Sequence, residues 1–102
     1  MKNSLSSNDI SQLLKTSKPT YTENFKFRAT RSKNLKIGFS ISRRCGSAVL
    51  RNRIKRQIRV EAGGLSKTYS PLKILITIEK NIKKIQNTKD EIDGVFKSLH
   101  GK

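Results

Sequence analysis

One segment, residues 43–59, constrains the fold of this chain more than any other. It reads RRCGSAVLRNRIKRQIR and contains seven basic residues and no acidic residue. Within and just after it, apolar residues recur at every fourth position, as Leu50, Ile54, Ile58 and Ala62. This spacing places them on one face of a helix, which would pack against a hydrophobic core. Ser47 is a suitable N-cap, and we expect the helix to end at Gly63 and Gly64.

The opposite face of this predicted helix is basic. Arg51, Lys55 and Arg59 lie one position further round than the apolar residues, and Asn52 and Arg56 lie beyond them. A run of charge is commonly just a solvated face, but solvated faces normally mix positive and negative side chains. Arginine also suits phosphate, because its planar fork makes bidentate hydrogen bonds. We therefore predict that this face binds a polyanion.

The distribution of charge along the whole chain supports that prediction. The sequence has 23 Lys and Arg residues against seven Asp and Glu, a formal net charge of +16. Residues 24–60 contain 12 basic residues and no acidic residue. Such a block repels itself and disfavours the compact state. A partner that carries phosphates is the usual compensation.

The sequence gives no indication of a membrane or of disulfide bonds. No apolar run reaches the roughly 18 residues that span a bilayer. The basic helix has no Trp or Phe to insert among lipid headgroups. Cys45 is the only cysteine, which excludes an intramolecular disulfide. We expect a cytoplasmic protein, since a reducing compartment fits this cysteine usage.

Three stretches show the alternation of half-buried strands. Residues 25–30 and 35–42 alternate apolar and polar side chains, and we expect them to pair as a hairpin. Residues 72–78 form a third strand, in which Leu75 is an exception to the alternation. Together the strands give one apolar sheet face, where their phenylalanines lie. The other face is polar and largely basic, with Lys26, Arg28, Lys36, Ser40, Lys73 and Thr77.

Helices are predicted at both ends of the chain. Residues 8–15 follow a polar cap, and a last helix opens at Thr88 or Asp90. The order helix, strand, strand, helix, strand, helix predicts an α+β fold, a mixed sheet of three to four strands layered with helices. A chain of 102 residues forms a single domain, residues 1–102. The sequence leaves open whether its first eight residues are ordered.

No residue is a candidate for catalysis or for binding a metal ion. Protein nucleases need clustered carboxylates that hold metals or paired histidines that transfer protons. This sequence has a single histidine, His100, and its early acids, Asp9 and Glu23, are isolated. We expect both acids to be helix caps or surface residues, His100 to lie on the surface, and Cys45 to be a packing residue.

Residues 35–59, LKIGFSISRRCGSAVLRNRIKRQIR, resemble the signature of the bacterial ribonuclease P protein subunit. That signature combines a strand of this type, a pair of basic residues and a Gly-x-Ala-Val helix start. It continues with the pattern Arg-Asn-Arg-x-Lys-Arg-x-x-Arg, which residues 51–59 match. Weaker matches extend in both directions, so the resemblance covers most of the chain.

The resemblance implies a small α+β sandwich of the kind seen in a ribosomal protein domain. It adds a short strand near residues 20–22 and a left-handed crossover through the basic helix. Parallel crossovers are right-handed in about 98% of cases, so the residue pattern alone would not indicate this feature.

The resemblance also implies a ribonucleoprotein, a heterodimer of one RNA and one protein subunit. Ribonuclease P RNA would bind most of the Mg²⁺ and hydrolyse the phosphodiester that removes the 5′ leader of precursor tRNA. The protein would be a non-catalytic subunit of this endoribonuclease, supplying binding energy and orientation. The alternative that the residues leave open is a structural rRNA-binding protein of the ribosomal type.

Carried over by position, the resemblance assigns residues to two surfaces. Contacts with the RNA subunit would come from Arg43, Arg44, Arg51, Asn52, Arg53, Lys55, Arg56 and Arg59. A cleft for the single-stranded leader would involve Ile10, Leu14, Lys26, Arg28 and Lys36.

Three cleft positions depart from the family. Ile10 and Leu14 stand where the family has aromatic rings, and Arg28 stands where an aromatic residue is common. Stacking of a base on an aromatic side chain is worth about 1–3 kcal/mol. We therefore expect weaker stacking and more electrostatic contact with the leader.

Overall fold

The computed structural model of the protein describes residues 5–86 and 88–100. Its helices and strands are α1 (Ser7–Thr16), β1 (Thr20–Tyr21), β2 (Phe25–Arg31), β3 (Lys36–Ile41), α2 (Ala48–Thr68), β4 (Leu72–Ile78) and α3 (Thr88–His100). Short 3₁₀ turns occupy Arg43–Cys45 and Ile82–Lys84. The α+β prediction is confirmed, and β1 is the extra short strand. Half of the first eight residues, and the side chain of His100, lie outside the described part.

The four strands form one mixed sheet in the order β1-β2-β4-β3. β4 pairs antiparallel with β2 and parallel with β3, so the predicted hairpin of β2 and β3 was wrong. The physical reason lies in β4, whose Leu75 and Ile76 are both buried although they point to opposite faces. A strand that is apolar on both faces belongs inside a sheet, and β4 therefore separates β2 from β3.

The hydrophobic core lies between the predicted apolar face of the sheet and the helices α2 and α3. The register places Phe27, Ile76 and Phe39 side by side on this face. Ile76 and Ile58, which α2 contributes, have no exposed surface. The phenylalanines of the strands belong to this core cluster or pack against it, as expected.

Helix α1 covers part of the other sheet face, with Leu13 and Leu75 buried there. Before the helix, the backbone N–H of Leu5 donates a hydrogen bond of 3.3 Å to the carbonyl of Ile37. The Leu5 side chain occupies the space above Gly38, where an added Cβ would lie 2.8 Å from its Cδ1. Glycine at position 38 therefore lets the chain ahead of α1 lie close to β3.

Helix α2 begins as predicted but ends later. The Oγ of Ser47 accepts a hydrogen bond from the N–H of Leu50, so Ser47 is the N-cap. The helix then continues through Gly63 and Gly64 to Thr68, so the predicted end was wrong. Each glycine costs a helix about 1 kcal/mol relative to alanine. Continuing the helix extends the apolar stripe by one more buried side chain, Leu65, which offsets that cost.

Two glutamates form hydrogen bonds that connect α3 to α2 and to the β1–β2 connection. Glu91 on α3 accepts hydrogen bonds from the backbone N–H of Asn24 at 2.8 Å, from its Nδ2 at 2.6 Å, and from the hydroxyl of Thr22. Glu61 on α2 accepts a hydrogen bond of 2.9 Å from the hydroxyl of Thr88 at the start of α3. Glu61 and Glu91 therefore position α3 within the fold.

Candidate nucleic-acid interface

The outward side of α2 carries the basic residues of the 51–59 segment. We call this the α2 surface, made of Arg51, Asn52, Arg53, Lys55, Arg56 and Arg59. On the opposite side of the same helix, Ile54 and Ile58 are buried in the core. Because the two sets interleave, burial of the apolar stripe forces the basic side chains outward.

The α2 surface extends around both flanks of the helix. Asn52, Lys55, Arg56 and Arg59 line one shallow groove together with the exposed Val60. Arg53 lies on the other flank and lines a depression with Lys83 of the second 3₁₀ turn. The predicted RNA contacts are thus close together but do not share one flat plane.

These cations have no acidic partners within the described part of the chain. None of the basic residues of the α2 surface has a described carboxylate within 4.0 Å. Arg59 packs its guanidinium over the ring of Phe39, 5.3 Å from the ring centroid. The Nε of Arg51 is buried and no described residue accepts its hydrogen bond. An unpaired buried donor is costly.

A 3₁₀ turn presents Arg43 and Arg44 just ahead of α2. Both side chains are exposed. The Oγ of Ser42 accepts from the N–H of Arg44 at 3.2 Å, which caps the turn. Cys45 is buried and its thiol donates to the carbonyl of Ile78 at 3.3 Å. The cysteine is the packing residue that was predicted, and it anchors this basic turn to β4.

The polar face of the sheet also carries basic side chains, but most of them hydrogen-bond or pair with acceptors of the protein itself. Arg28 donates to the carbonyl of Ser17 at 2.7 Å and to that of Leu14 at 3.4 Å, both at the C-terminal end of α1. Lys73 and Lys36 place their Nζ atoms 3.0 Å and 3.7 Å from the carboxylate of Asp9.

Asp9 connects α1 to this sheet face. It is buried, and it completes a capping box with Ser6, whose Oγ accepts from the Asp9 N–H and whose N–H donates to the Asp9 carboxylate. The hydrogen bond from Lys73 and those with Ser6 hold the pKa of the Asp9 carboxyl far below its ordinary range. The expectation that Asp9 is a helix cap is confirmed.

The residues predicted for the leader cleft all lie on this side of the molecule. Lys26, Arg28 and Lys36 share the polar sheet face. Ile10 is half-buried and Leu14 is exposed on α1, which crosses that face. The structure therefore brings the five residues to one side, although Arg28 and Lys36 are already bound to protein groups.

Two residues that the sequence did not single out belong to these surfaces. Lys83 lies next to Arg53 at the edge of the α2 surface. Tyr21 on β1 lies opposite Lys26 and is 69% exposed. The Nζ of Lys26 lies 5.8 Å from the centroid of that ring. A cluster of lysines at 80–84 was visible in the sequence, but only the tertiary fold places Lys83 next to α2.

The described residues show neither a metal centre nor a membrane span. No group of three or more His, Cys, Asp or Glu side chains among them is arranged to hold a metal ion. No helix in this part of the chain is long and apolar enough to cross a bilayer.

The fold and the site define a class: a small single-sheet α+β protein with an unneutralised basic helix surface. The family model described as Ribonuclease P matches residues 2–100. The chain therefore belongs to the ribonuclease P protein family. No curated protein sequence matches it closely enough to add to this assignment.

Solved structures of this family share the fold. The ribonuclease P protein of Thermotoga maritima superposes with a TM-score of 0.76 at 17% identity, covering 93% of this chain and 96% of that one. The Staphylococcus aureus protein, solved at 2.0 Å, gives 0.69 at 21% identity, covering 93% and 88%. A mutant of that protein with defective mRNA degradation activity gives 0.71 at 22% identity, covering 96% and 85%.

Proposed function

We propose that this protein is the RNA-binding subunit of a bacterial-type ribonuclease P. Membership of the family implies a part in an endoribonuclease complex and in tRNA processing. The finer assignment is that the α2 surface docks on the catalytic RNA. The polar face of the sheet then contacts the 5′ leader of precursor tRNA.

The observation that carries this proposal is the lack of acidic partners around the α2 surface. Six residues of one helix side project outward and none of its cations pairs with a described carboxylate. A polyanion would replace the missing counter-charges and release its own condensed ions on binding. Arg43, Arg44 and Lys83 enlarge the same basic region.

The chemistry is assigned to the RNA. Among the described residues, no group of three or more His, Cys, Asp or Glu side chains is arranged to hold a metal ion. The two acids with several partners, Asp9 and Glu91, are bound by lysines and by the β1–β2 connection. We propose that Mg²⁺ is held by the RNA subunit and the substrate. The protein would contribute by letting two polyanions approach each other at moderate salt.

Reconstitution tests the proposal directly. The full chain is added to an in vitro transcribed ribonuclease P RNA and a precursor tRNA at physiological magnesium, and 5′ cleavage is followed. We expect the protein to raise the cleavage rate. Unchanged cleavage would contradict the proposal and would favour the alternative, a structural rRNA-binding protein.

A matched pair of variants shows which surface is responsible. Arg53→Ala with Arg56→Ala removes two charges from the α2 surface, and Lys89→Ala with Lys97→Ala removes two exposed charges from α3. Only the first pair should reduce stimulation of cleavage. Equal loss with both pairs would mean that net charge, and not the α2 surface, drives binding.

A further inference from the structure

Beyond the part covered by α1, the polar face of the sheet has one row of side chains, the open row, that no described segment covers. The register aligns Tyr21 with Lys26, Lys26 with Thr77, and Thr77 with Ser40. The row therefore takes one residue from each of the four strands. With strands about 4.8 Å apart, it extends about 14 Å across the sheet.

The neighbouring rows are already occupied by α1 and the chain ahead of it. Arg28 is bound by carbonyls of α1, and Leu5 fills the space over Gly38. In the row beyond, Lys73 and Lys36 are bound to Asp9. Three residues of the open row, Tyr21, Lys26 and Thr77, line one shallow depression together with the β1–β2 connection, Glu79 and Lys80.

The side chains of the open row have unused binding capacity. Among the cations of this face, Lys26 has no acceptor within the described part of the chain, and its Nζ lies 5.8 Å from the centroid of the Tyr21 ring. No described group hydrogen-bonds the hydroxyls of Ser40 or Thr77. Tyr21 keeps 69% of its surface exposed although it is a large aromatic residue.

This combination fits an unpaired nucleotide better than it fits other ligands. A single exposed aromatic residue is ordinary on a protein surface. An exposed ring beside an unpaired cation and two free hydroxyls provides a stacking surface, a phosphate contact and hydrogen-bonding groups in one line. Those are the elements with which proteins bind single-stranded nucleic acid.

We propose that Tyr21 stacks on an unpaired base of the precursor tRNA leader while Lys26 binds an adjacent phosphate. Thr77 and Ser40 bond the sugar or the next base along the row. This proposal rests on the proposed function and names a residue for its leader cleft. Tyr21 supplies an aromatic ring to a cleft in which Ile10, Leu14 and Arg28 offer none.

The test measures equilibrium affinity of the reconstituted holoenzyme for precursor tRNA with a leader and for mature tRNA. Tyr21→Ala should weaken binding of the leader-bearing substrate by roughly 5- to 150-fold, with no change for mature tRNA. Tyr21→Phe should restore wild-type affinity, because stacking needs the ring and not the hydroxyl. Lys97→Ala, which changes an exposed side chain of α3, is the control expected to change neither affinity.

Two further readouts separate stacking from charge. Lys26→Gln should lower the salt dependence of leader binding by about 0.7 in log–log slope, the value for one phosphate of a single strand, whereas Tyr21→Ala should leave the slope unchanged. Leaders with single abasic positions should locate the stacked base. An abasic leader at that position should bind the wild type more weakly than an intact leader does. The Tyr21→Ala variant should bind the abasic and intact leaders equally.

Several results would overturn the proposal. One is an unchanged leader affinity in Tyr21→Ala, and another is failure of Tyr21→Phe to restore it. Equal losses for leader-bearing and mature tRNA, or weaker assembly with the RNA subunit alone, would place Tyr21 in a different contact. If the wild-type holoenzyme bound leader-bearing and mature tRNA with equal affinity, the proposed function itself would be contradicted. That result differs from the loss of the Tyr21 contact alone, which leaves the wild type with a preference for the leader.

Discussion

The α2 surface and the polar face of the sheet carry charge of the same sign but use it differently. On α2, basic side chains project outward and no described carboxylate pairs with them. On the sheet face, Arg28 holds the end of α1 and Asp9 holds Lys36 and Lys73. A basic residue can therefore be a docking group or a part of the scaffold, and the acceptors around it decide which.

The difference also divides the work between the two surfaces. Unpaired cations give affinity that depends strongly on salt, which is the behaviour expected for the proposed docking on RNA. Cations bound to protein groups instead fix the position of α1 over the sheet. What is left for a ligand on that face is Tyr21, Lys26 and two hydroxyls, which suit a short single strand.

The largest expected effect comes from removing charge from the α2 surface. Arg53→Ala with Arg56→Ala should weaken binding of the RNA subunit and flatten its salt dependence by about two units of slope, one for each lost phosphate contact. The stability of the free protein should not fall, since neither side chain has a described acidic partner. Filter binding across a salt series measures the slope. An unchanged slope would mean that these residues face solvent in the complex.

Asp9→Asn should leave the lysines of the polar sheet face without an acidic partner, as the cations of the α2 surface are. Lys36 and Lys73 would lose their carboxylate and the capping box of α1 would lose its charged acceptor, so denaturant should unfold the variant at lower concentration. The freed lysines should raise the salt dependence of leader binding. If the salt dependence stays the same while stability falls, the lysines contact no phosphate even when free.

The same carboxylate gives a prediction for pH. The pKa of Asp9 is depressed in the folded protein, so the unfolded chain binds the proton more readily. Its stabilisation is therefore present above the unfolded pKa of about 3.9 and is lost as pH falls further. Denaturant midpoints measured between pH 7 and pH 2 should fall more steeply for the wild type than for Asp9→Asn. Parallel curves would contradict the role given to Asp9.

Arg28→Ala should cost the folded protein about 1.5–3 kcal/mol, the range for hydrogen bonds to charged groups. The variant loses both bonds to the end of α1. Lys26→Ala is the matched control on the same face, because Lys26 has no described acceptor. Urea unfolding of both variants makes the measurement. Equal stability would show that Arg28 is as free as Lys26.

The smallest expected effect comes from substitutions within α2, and it is an increase in the stability of the folded protein. An added Cβ at Gly63 or Gly64 meets no atom within 4 Å, so alanine at either position should stabilise the protein by up to about 1 kcal/mol. Gly38→Ala is the contrasting variant, since its Cβ would meet Leu5 at 2.8 Å. Thermal unfolding distinguishes the two cases. A destabilised Gly64→Ala would indicate a neighbour that the fold does not show.

Local patterns predicted the three helices and the three longer strands, but not how the strands pair or where α2 ends, and the short β1 was implied only by the family resemblance. Alternation identifies a half-buried strand and carries no information on its partner, which is why the hairpin prediction failed at β4. The predicted end at Gly63 and Gly64 failed because burial of Leu65 outweighs two unfavourable helix residues. The cap at Ser47, in contrast, depends on residues three apart and was correct.

The sequence by itself determined the basic helix, its apolar stripe and the family to which the chain belongs. All three follow from residue types at short fixed spacings. Only the tertiary structure decided which cations are free, because their acceptors come from distant parts of the chain: Asp9 for Lys36 and Lys73, and the end of α1 for Arg28. It also aligned Tyr21 with Lys26, Thr77 and Ser40, since register is set by pairing between strands.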